Sequence, residues 1–268
     1  MWLSQAAAAV TVTENDTAIQ PDLFSRYLVD SGALAGLDEI RKRSADFIAV
    51  DNRRQLNFGY TDDAYWLRLE IQSQLLQSQL WILEFEYAYL DDVSLYVVRP
   101  DSIKEMHAGR YVPVSQWPVP ARNAAFPLML NPGEDIVLYM RVVTQAGMAL
   151  NPRLLSANQY ALNNNQTVII MALYFGMLIA LGSYNFLLFL ALRQKTFILY
   201  SAFVFTFGFA ASGMNGIGPL MLWPDMALTG FADRIVPTGF SVATALAMMF
   251  ARSFLQMQTL APRWHRFL

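Results

Sequence analysis

Hydrophobic and polar residues follow different patterns in the two halves of this chain. Between residues 64 and 143, apolar residues recur at alternate positions, which is the period of a β-strand with one buried face. From Thr167 to Leu192, and again from Thr196 to Trp223, no Asp, Glu, Lys or Arg occurs. Each run exceeds the ~20 apolar residues with which a helix crosses a bilayer. The pattern therefore predicts a β-rich head followed by a membrane-spanning region.

The clearest strand pattern lies in residues 64–72. One face carries Tyr65, Leu67, Leu69 and Ile71, and the opposite face carries Trp66, Arg68, Glu70 and Gln72. The same period predicts strands at residues 81–89, 93–97, 126–130 and 136–143, and residues 35–43 favour one short helix. Repeated short strands separated by turns indicate an antiparallel β-sandwich or jelly roll.

The residues before and after the β-rich head do not alternate between apolar and polar positions. Residues 1–19 contain the run Ala6–Ala9, which is read either as a remnant of a secretory signal or as a disordered N-terminus. The head is predicted at residues 20–155, and the polar residues 156–166 are predicted to form a linker. Residues 167–268 form the predicted transmembrane region.

Three membrane-spanning helices are predicted, at about residues 167–192, 196–213 and 235–253. Basic residues lie in the first loop, at Arg193 and Lys195, and after the third helix. The positive-inside rule then places that loop and the C-terminus in the cytoplasm and the head outside. In a bacterium this corresponds to an inner-membrane protein with a periplasmic head. An odd number of spans with a short basic tail leads us to expect an incomplete helical bundle.

The first predicted span carries small residues on one face. Ala172, Gly176 and Ala180 recur at every fourth position, and this spacing lets a neighbouring helix approach closely. Tyr184 continues the stripe, and Asn185 places an amide inside the apolar run. Because an amide in lipid favours a polar partner, we expect these five residues to pack within a bundle or to couple the head to it.

Composition argues against several classes of function. The net charge is −2 and no basic run occurs, which argues against nucleic acid as a partner. The chain contains no Cys, so it has neither a thiol nucleophile nor a thiolate metal site. The two histidines, His107 and His265, fall on opposite sides of the membrane in the predicted topology, so they cannot share a site. We therefore expect no catalysis, no bound metal and no cofactor.

Ligand binding by the head remains open. Aromatic faces flanked by a few polar groups are typical of sites for sugars and other small molecules. The candidates for such contacts are Tyr60, Trp66, Arg68, Tyr96, Arg110 and Arg122. Trp66 is also a natural core residue, because large aromatic side chains dominate sandwich cores. Calcium is an alternative ligand, since Asp62 with Asp63 and Asp91 with Asp92 place carboxylates in turns, although their spacing matches no regular calcium loop.

Several short motifs occur in a characteristic order along the chain. Their residues are Phe58, Gly59, Tyr60, Thr61, Ala64, Trp66, Leu67, Arg68, Leu90, Asp91, Val93, Leu95, Tyr96, Gly109, Arg110, Tyr174, Phe175, Gly176, Tyr184, Asn185, Arg193, Tyr200, Gly216–Leu222, Trp223 and Pro224. This order resembles a family of bacterial receptors in which seven membrane helices carry diverse intracellular signalling modules (7TMR-DISM), with the second type of extracellular domain.

The resemblance implies a periplasmic jelly-roll sensor, similar to carbohydrate-binding modules, on a seven-helix bundle. It also implies an intracellular histidine kinase or diguanylate cyclase module as output. This sequence contains about three helices and no such module. We therefore expect a membrane-anchored receptor whose head binds a small ligand, with carbohydrate as one candidate. The alternatives are the regulatory half of a membrane-bound cyclase or kinase, a calcium-responsive sensor, and an envelope assembly subunit that senses nothing.

Overall fold

The computed structural model describes residues 9–20, 26–50, 56–227, 229 and 232–255. Its strands are β1 (Val10–Val12), β2 (Ala18–Ile19), β3 (Arg26–Asp30), β4 (Ile48–Ala49), β5 (Ala64–Ser73), β6 (Gln79–Phe85), β7 (Asp92–Val98), β8 (Ile103–Ala108), β9 (Ala125–Leu130), β10 (Asp135–Val143) and β11 (Pro152–Ser156). Its α-helices are α1 (Leu37–Lys42), α2 (Ala157–Leu192), α3 (Lys195–Met214), α4 (Ile217–Met221) and α5 (Ile235–Phe254).

The chain divides into two compact units. The head comprises Met1–Asn163 with Pro219–Leu228, and the helical unit comprises Asn164–Gly218 with Thr229–Leu268. In the head, the larger sheet has the strand order β4-β3-β5-β10-β7-β8, and β1 also pairs with β5. The smaller sheet has the order β2-β11-β6-β9. Among the described residues, every strand pairing is antiparallel except that of β1 with β5. The predicted β-sandwich is confirmed.

The alternation of side chains builds the core of this sandwich. Leu67, Leu69 and Ile71 of β5 are buried together with apolar residues of the smaller sheet, such as Leu83 and Phe126. The face assignment predicted for residues 64–72 is therefore correct. The strand predicted at residues 81–89 ends earlier, at Phe85, and the following residues form a turn, because the chain must cross there from one sheet to the other.

Residues 9–19 were predicted to be a signal remnant or a disordered terminus, and this prediction is wrong for the described part. Val10 and Val12 are buried in β1, which pairs in parallel with Ile71–Ser73 of β5. Strand β2 pairs with Leu154 and Leu155 of β11. Both strands are too short to show a period of two in the sequence. Their pairing with the longer strands β5 and β11 is what holds them in extended form. Residues 1–8, which carry the alanine run, lie outside the described residues.

The predicted linker at residues 156–166 is also wrong. Strand β11 ends at Ser156 and helix α2 begins at Ala157, so no loop separates the strand from the helix. The Ser156 hydroxyl accepts a hydrogen bond of 3.3 Å from the backbone N–H of Gln159, as an N-cap does. The asparagine-rich segment continues this helix, because polar residues are tolerated on a helix surface outside the bilayer.

The helical unit is built around α3. A Cβ atom added to Gly239 of α5 would lie 2.9 Å from the Cβ atom of Ala210 in α3, so α3 and α5 approach closely at this glycine. The hydroxyl of Ser201 in α3 donates a hydrogen bond of 2.9 Å to the carbonyl of Gly182 in α2. Helices α2, α3 and α5 are long and apolar enough to cross a membrane, and each contains one of the predicted spans.

Candidate functional site

The six predicted ligand residues do not form one cluster. Trp66, Arg68 and Tyr96 lie on the outer face of the larger sheet, because their strand neighbours point into the core. Tyr60 and Arg110 lie in loops near Tyr87 and Tyr89. Arg122 lies beside Ala121 and Ala125, next to the outer face of the smaller sheet. The structure therefore separates three groups that the sequence could not distinguish.

The strand register aligns polar side chains across the larger sheet. Arg68 pairs with Tyr139, Tyr139 pairs with Tyr96, and Tyr96 pairs with Glu105, so four adjacent strands each contribute one residue to a row. Residues directly opposite in antiparallel strands have Cβ atoms about 5 Å apart, so this row is continuous. Together with Glu70 and His107 on the same face, these residues are called the sheet platform: Arg68, Glu70, Tyr96, Glu105, His107 and Tyr139.

Ion pairs and hydrogen bonds connect the platform residues. Arg68 lies 2.5 Å from Glu70 and donates from Nε to the Tyr139 hydroxyl over 3.3 Å. Nε2 of His107 lies 3.0 Å from Glu105, and its Nδ1 lies 3.1 Å from the Ser94 hydroxyl. Arg68 and Glu70 neutralise each other, and the hydroxyl, imidazole and carboxylate groups beside them offer hydrogen-bond donors and acceptors.

Tyr96 is held in one orientation by its surroundings. Burial, followed by a hydrogen bond to the Glu105 carboxylate, raises the pKa of Tyr96 to about 12. Its hydroxyl therefore stays protonated near neutral pH and donates to Glu105. The Tyr96 ring stacks on Trp66 with a centroid distance of 5.7 Å and an interplanar angle of 21°.

Trp66 lies on the same face of the sheet as the platform, but it is covered. It is 0% exposed and packs in a second apolar cluster with Leu28, Ile40 and Phe47. Tyr139 of the platform is 5% exposed and belongs to the same cluster. The excursion from β3 through α1 to β4 supplies that cover. Trp66 thus supports Tyr96 and offers no face to a ligand in this structure, contrary to its prediction as a ligand contact. The alternating pattern of β5 could not predict that Trp66 is buried, because the residues that cover it come from another segment of the chain.

Arg110 is likewise a buried structural group. It forms a short hydrogen-bonded ion pair with Asp91, which is 0% exposed, and its guanidinium carbon lies 3.6 Å above the centre of the Tyr89 ring. The other Asp91 oxygen accepts hydrogen bonds from the Thr144 hydroxyl and from the backbone N–H of Gln145, over 3.2 and 2.7 Å. Asp91 and Arg110 hold three loops together, and Arg110 is not available to a ligand in this structure.

Gly109 explains how these loops approach one another. Its φ is +117°, and a Cβ atom added there would lie 2.5 Å from the Asp91 carbonyl oxygen. The close approach lets the N–H of Tyr111 donate to that carbonyl over 2.9 Å and the N–H of Arg110 donate to the Leu90 carbonyl over 2.9 Å. Two motifs that are far apart in the sequence, Leu90–Asp91 and Gly109–Arg110, are thus one structural unit.

The remaining head candidates differ in exposure. Tyr60 is 85% exposed, whereas Arg122 is half-buried. The neighbouring Asn123 donates a hydrogen bond of 2.7 Å to Glu84, which also accepts one of 3.0 Å from Arg153. Tyr60 and Arg122 are each isolated from the platform, so neither adds to it.

Three of the four carboxylates considered for calcium are already engaged, and Asp62 is exposed. Asp91 binds Arg110, Asp92 pairs with Arg141 at 3.1 Å, and Asp63 accepts a hydrogen bond of 3.2 Å from the N–H of Gly32. Within the described part of the chain, no group of three or more His, Asp or Glu side chains is arranged to hold a metal ion. His265 lies outside the described residues.

A cleft of about 300 Å³ opens between the edge strands of the two sheets. It is lined by Val97, Arg99, Lys104, Pro127, Leu128, Met129 and Asn131. Lys104 pairs with Val97 of the neighbouring strand, so its side chain lies on the inner side of the sheet. Pro127 lies within β9 and removes one backbone N–H donor from that strand. Inward lysines and prolines commonly protect edge strands from pairing with another chain, and this role accounts for the cleft.

In the helical unit, the predicted small-residue stripe is exposed. Ala172, Gly176, Ala180 and Tyr184 all lie on the surface, and no atom of a neighbouring helix lies within 4 Å of a Cβ atom built on Gly176. The amide of Asn185 donates to the carbonyl of Leu181 in its own helix over 2.9 Å. The glycine of α2 that packs is Gly182, where a Cβ atom would lie 2.9 Å from the Phe205 ring of α3. Gly182 lacks a small residue four positions away, so spacing could not identify it.

Comparisons with known proteins agree with this division of the chain. Residues 24–156 match the sequence profile described as 7TMR-DISM extracellular 2. Residues 167–268 match the profile described as 7TM diverse intracellular signalling. No curated protein is significantly similar to the chain.

Several solved structures are distantly similar. A Cry1Da tryptic core variant of Bacillus thuringiensis has 11% identity and a TM-score of 0.23, and the alignment covers 35% of this chain but only 18% of that one. TmCBM61, solved with β-1,4-galactotriose, has 12% identity and a TM-score of 0.24, covering 49% of this chain and 83% of its own. A family 35 carbohydrate-binding module of Clostridium thermocellum has 10% identity and a TM-score of 0.25, covering 53% and 100%. Scores this low establish neither the fold nor the ligand of this chain.

Proposed function

Since the chain belongs to the family of seven-transmembrane receptors with diverse intracellular signalling, we propose that its extracellular head binds a small, uncharged, polyhydroxylated ligand on the sheet platform. Occupancy would then pass through the membrane helices to an intracellular kinase or cyclase module of the receptor. The chain itself is proposed to be a sensor without catalysis. In a bacterial cell this corresponds to an inner-membrane receptor with a periplasmic head and a cytoplasmic C-terminus.

The observation that carries this proposal is the row formed by Arg68, Tyr139, Tyr96 and Glu105, in which the buried Tyr139 supports Arg68 and the other three side chains reach the surface. Each of these residues sits on a different strand of one sheet, so their spacing is fixed by backbone hydrogen bonds. Rigid elements position binding groups better than loops do. Arginine and glutamate side chains that already neutralise one another donate to and accept from hydroxyl groups, and Arg68 with Glu70 is such a pair. Beside it, the His107 ring and the Glu105 carboxylate, 3.0 Å apart, add further hydrogen-bonding groups. An uncharged polyol, including a carbohydrate, fits this chemistry.

The connection to the membrane supports a receptor role. Strand β11 leads directly into α2, and α2 continues to Leu192. A ligand shifts a receptor only if it binds two arrangements with different affinity. Because β11 continues directly into α2, a ligand-dependent displacement of β11 would also move the first turn of α2. The change in the head would reach the membrane helix through the backbone.

A binding experiment on the intact chain tests the proposal. The 268-residue chain in lipid nanodiscs would be screened on a glycan array, and the strongest neutral oligosaccharide would be titrated by calorimetry. We expect Arg68→Ala and Tyr96→Ala each to weaken binding about tenfold or more, since a hydrogen bond to a charged group contributes about 1.5–3 kcal/mol. Tyr60→Ala and Arg122→Ala are matched controls away from the platform, and we expect them to bind as the unmodified chain does.

Other outcomes would favour the alternatives. Binding lost in Tyr60→Ala but kept in Arg68→Ala would move the site to the loops. A heat signal with Ca²⁺ and none with glycans would favour a calcium sensor. Absence of binding to both would contradict the proposed ligand class and favour an assembly role for the head.

A further inference from the structure

The connection between α4 and α5 belongs to the head, although it is far from the head in sequence. Residues Pro219–Leu228 fall in the same compact unit as the sandwich. Within this stretch Pro219 is buried, and Leu220 packs against the main core of the sandwich. The described residues 219–227 are called the strap. We propose that the strap is a second attachment between the head and the membrane helices, and that its docking regulates how the head acts on α3 and α5.

A specific hydrogen bond joins the strap to a loop of the head. The N–H of Ser115 donates to the carbonyl of Pro224 over 3.1 Å. Ser115 lies in a single 3₁₀ turn, Val114–Gln116, and the first N–H groups of a helix have no acceptor within it. The strap therefore supplies an acceptor that the loop itself lacks.

Both partners of this hydrogen bond are preorganised. In the strap, the N–H of Met226 donates to the carbonyl of Trp223 over 3.1 Å, which closes a turn with Pro224 at its second position. Proline is favoured there because its φ is fixed, and the turn leaves the proline carbonyl free to accept from outside. In the head loop, the indole N–H of Trp117 donates to the carbonyl of Val112 over 2.9 Å. Each side thus holds its shape without the other.

The position of the strap in the chain makes this contact a coupling element. Toward the N-terminus it continues through α4 toward α3, and toward the C-terminus the chain leads into α5. Leu220 and the hydrogen bond from Ser115 to Pro224 are among the contacts that attach it to the head. A change in the head that moves the Ser115 loop would therefore displace the strap or release it. This inference does not depend on the identity of the ligand.

Cysteine cross-linking provides the first test. The chain has no native cysteine, so an introduced pair is unambiguous. Disulfides form when Cα atoms are about 4.4–6.8 Å apart, which is the usual separation for residues flanking a backbone hydrogen bond. Ser115→Cys would be combined with Pro224→Cys and, separately, with Asp225→Cys, in the full chain in native membranes. We expect an intramolecular disulfide, detected by mass spectrometry, and no such product in the single-cysteine variants. If both pairs gave only intermolecular disulfides or none, the strap would not be docked.

Hydrogen exchange of the full chain in nanodiscs provides the second test. We expect Leu220→Ala to accelerate exchange in the peptide spanning residues 112–117 several-fold, because the strap loses its apolar contact. Met221→Ala is the matched control, since this neighbouring side chain is 72% exposed, and it should leave exchange unchanged. Amides of β5 report whether the variants are folded. Equal exchange at residues 112–117 in both variants, with β5 protected, would overturn the proposal.

Discussion

At the scale of single residues, the Asp91–Arg110 pair is the most constrained part of the head. Both side chains are buried, and Asp91 also accepts two further hydrogen bonds. We expect Asp91→Ala to destabilise the folded head by about 3–5 kcal/mol, because it leaves a buried guanidinium without its partner. Thermal unfolding of the solubilised chain, followed by tryptophan fluorescence, would measure the loss. Asp46→Ala removes an exposed pair with Arg43 and should change stability by less than about 1 kcal/mol. Similar losses in both variants would contradict a structural role for the buried pair.

Glu134 makes the stability of the folded head depend on pH in the acid range. Burial opposes its ionisation, but hydrogen bonds from the backbone and side chain of Asn131 and from Arg99 outweigh burial and lower the pKa of Glu134 below its ordinary value of 4.5. Because the folded-state pKa is the lower one, this stabilisation is fully present above about pH 4.5 and is lost as pH falls through the folded-state pKa. We expect Glu134→Gln to lower stability at neutral pH and to flatten the decline in acid, measured by urea unfolding between pH 3 and 7. The exposed neighbour Asp135, changed to Asn, serves as control, and an unchanged acid profile in Glu134→Gln would contradict the assignment.

At the scale of elements, the contrast between Gly176 and Gly182 shows what sequence spacing can predict. The four-residue spacing predicted which face of α2 carries small side chains. It did not predict which face packs against another helix, because that depends on Phe205 and Ser201 of α3. We expect Gly182→Leu to disrupt packing of α2 on α3 in this chain, since even a Cβ atom would lie 2.9 Å from the Phe205 ring. Gly176→Leu is the matched control. Thermal stability of the chain in one detergent would compare them, and equal melting temperatures would contradict the packing of Gly182.

Strands differed in how well the sequence predicted them. β5, β7, β9 and β10 alternate over six residues or more, so their faces were predictable. β1, β2 and β4 contain two or three residues and depend on pairing with longer strands, and β8 carries charges on both faces of an edge. For the platform, the sequence predicted that Arg68 lies on the face of its strand opposite to Leu67 and Leu69. It could not predict that Arg68 and Tyr96 share a row, because the row depends on the register through β10.

At the scale of the whole molecule, the charge pattern and the strap together lead to one predicted topology. The positive-inside rule predicts that Arg193 and Lys195 lie on the cytoplasmic side. The strap shares a compact unit with the head, so we expect strap and head to lie on one side of the membrane. If α3 spans the bilayer, we expect the loop at Gln194 on the side opposite to the strap. A head outside the cytoplasm is then the expected arrangement without reference to residues 1–8.

Cysteine labelling tests this topology in a chain that has no other cysteine. Gln194 and Asp225 are both exposed, so each can be replaced by Cys with little structural effect. In intact spheroplasts, a membrane-impermeant maleimide should label Asp225→Cys readily and Gln194→Cys only after permeabilisation, because one site faces the outside and the other the cytoplasm. The reverse result would place the head in the cytoplasm and remove the basis for an extracellular sensor. Labelling of both sites before permeabilisation would mean that α3 does not span the bilayer, since the two positions lie beyond its opposite ends.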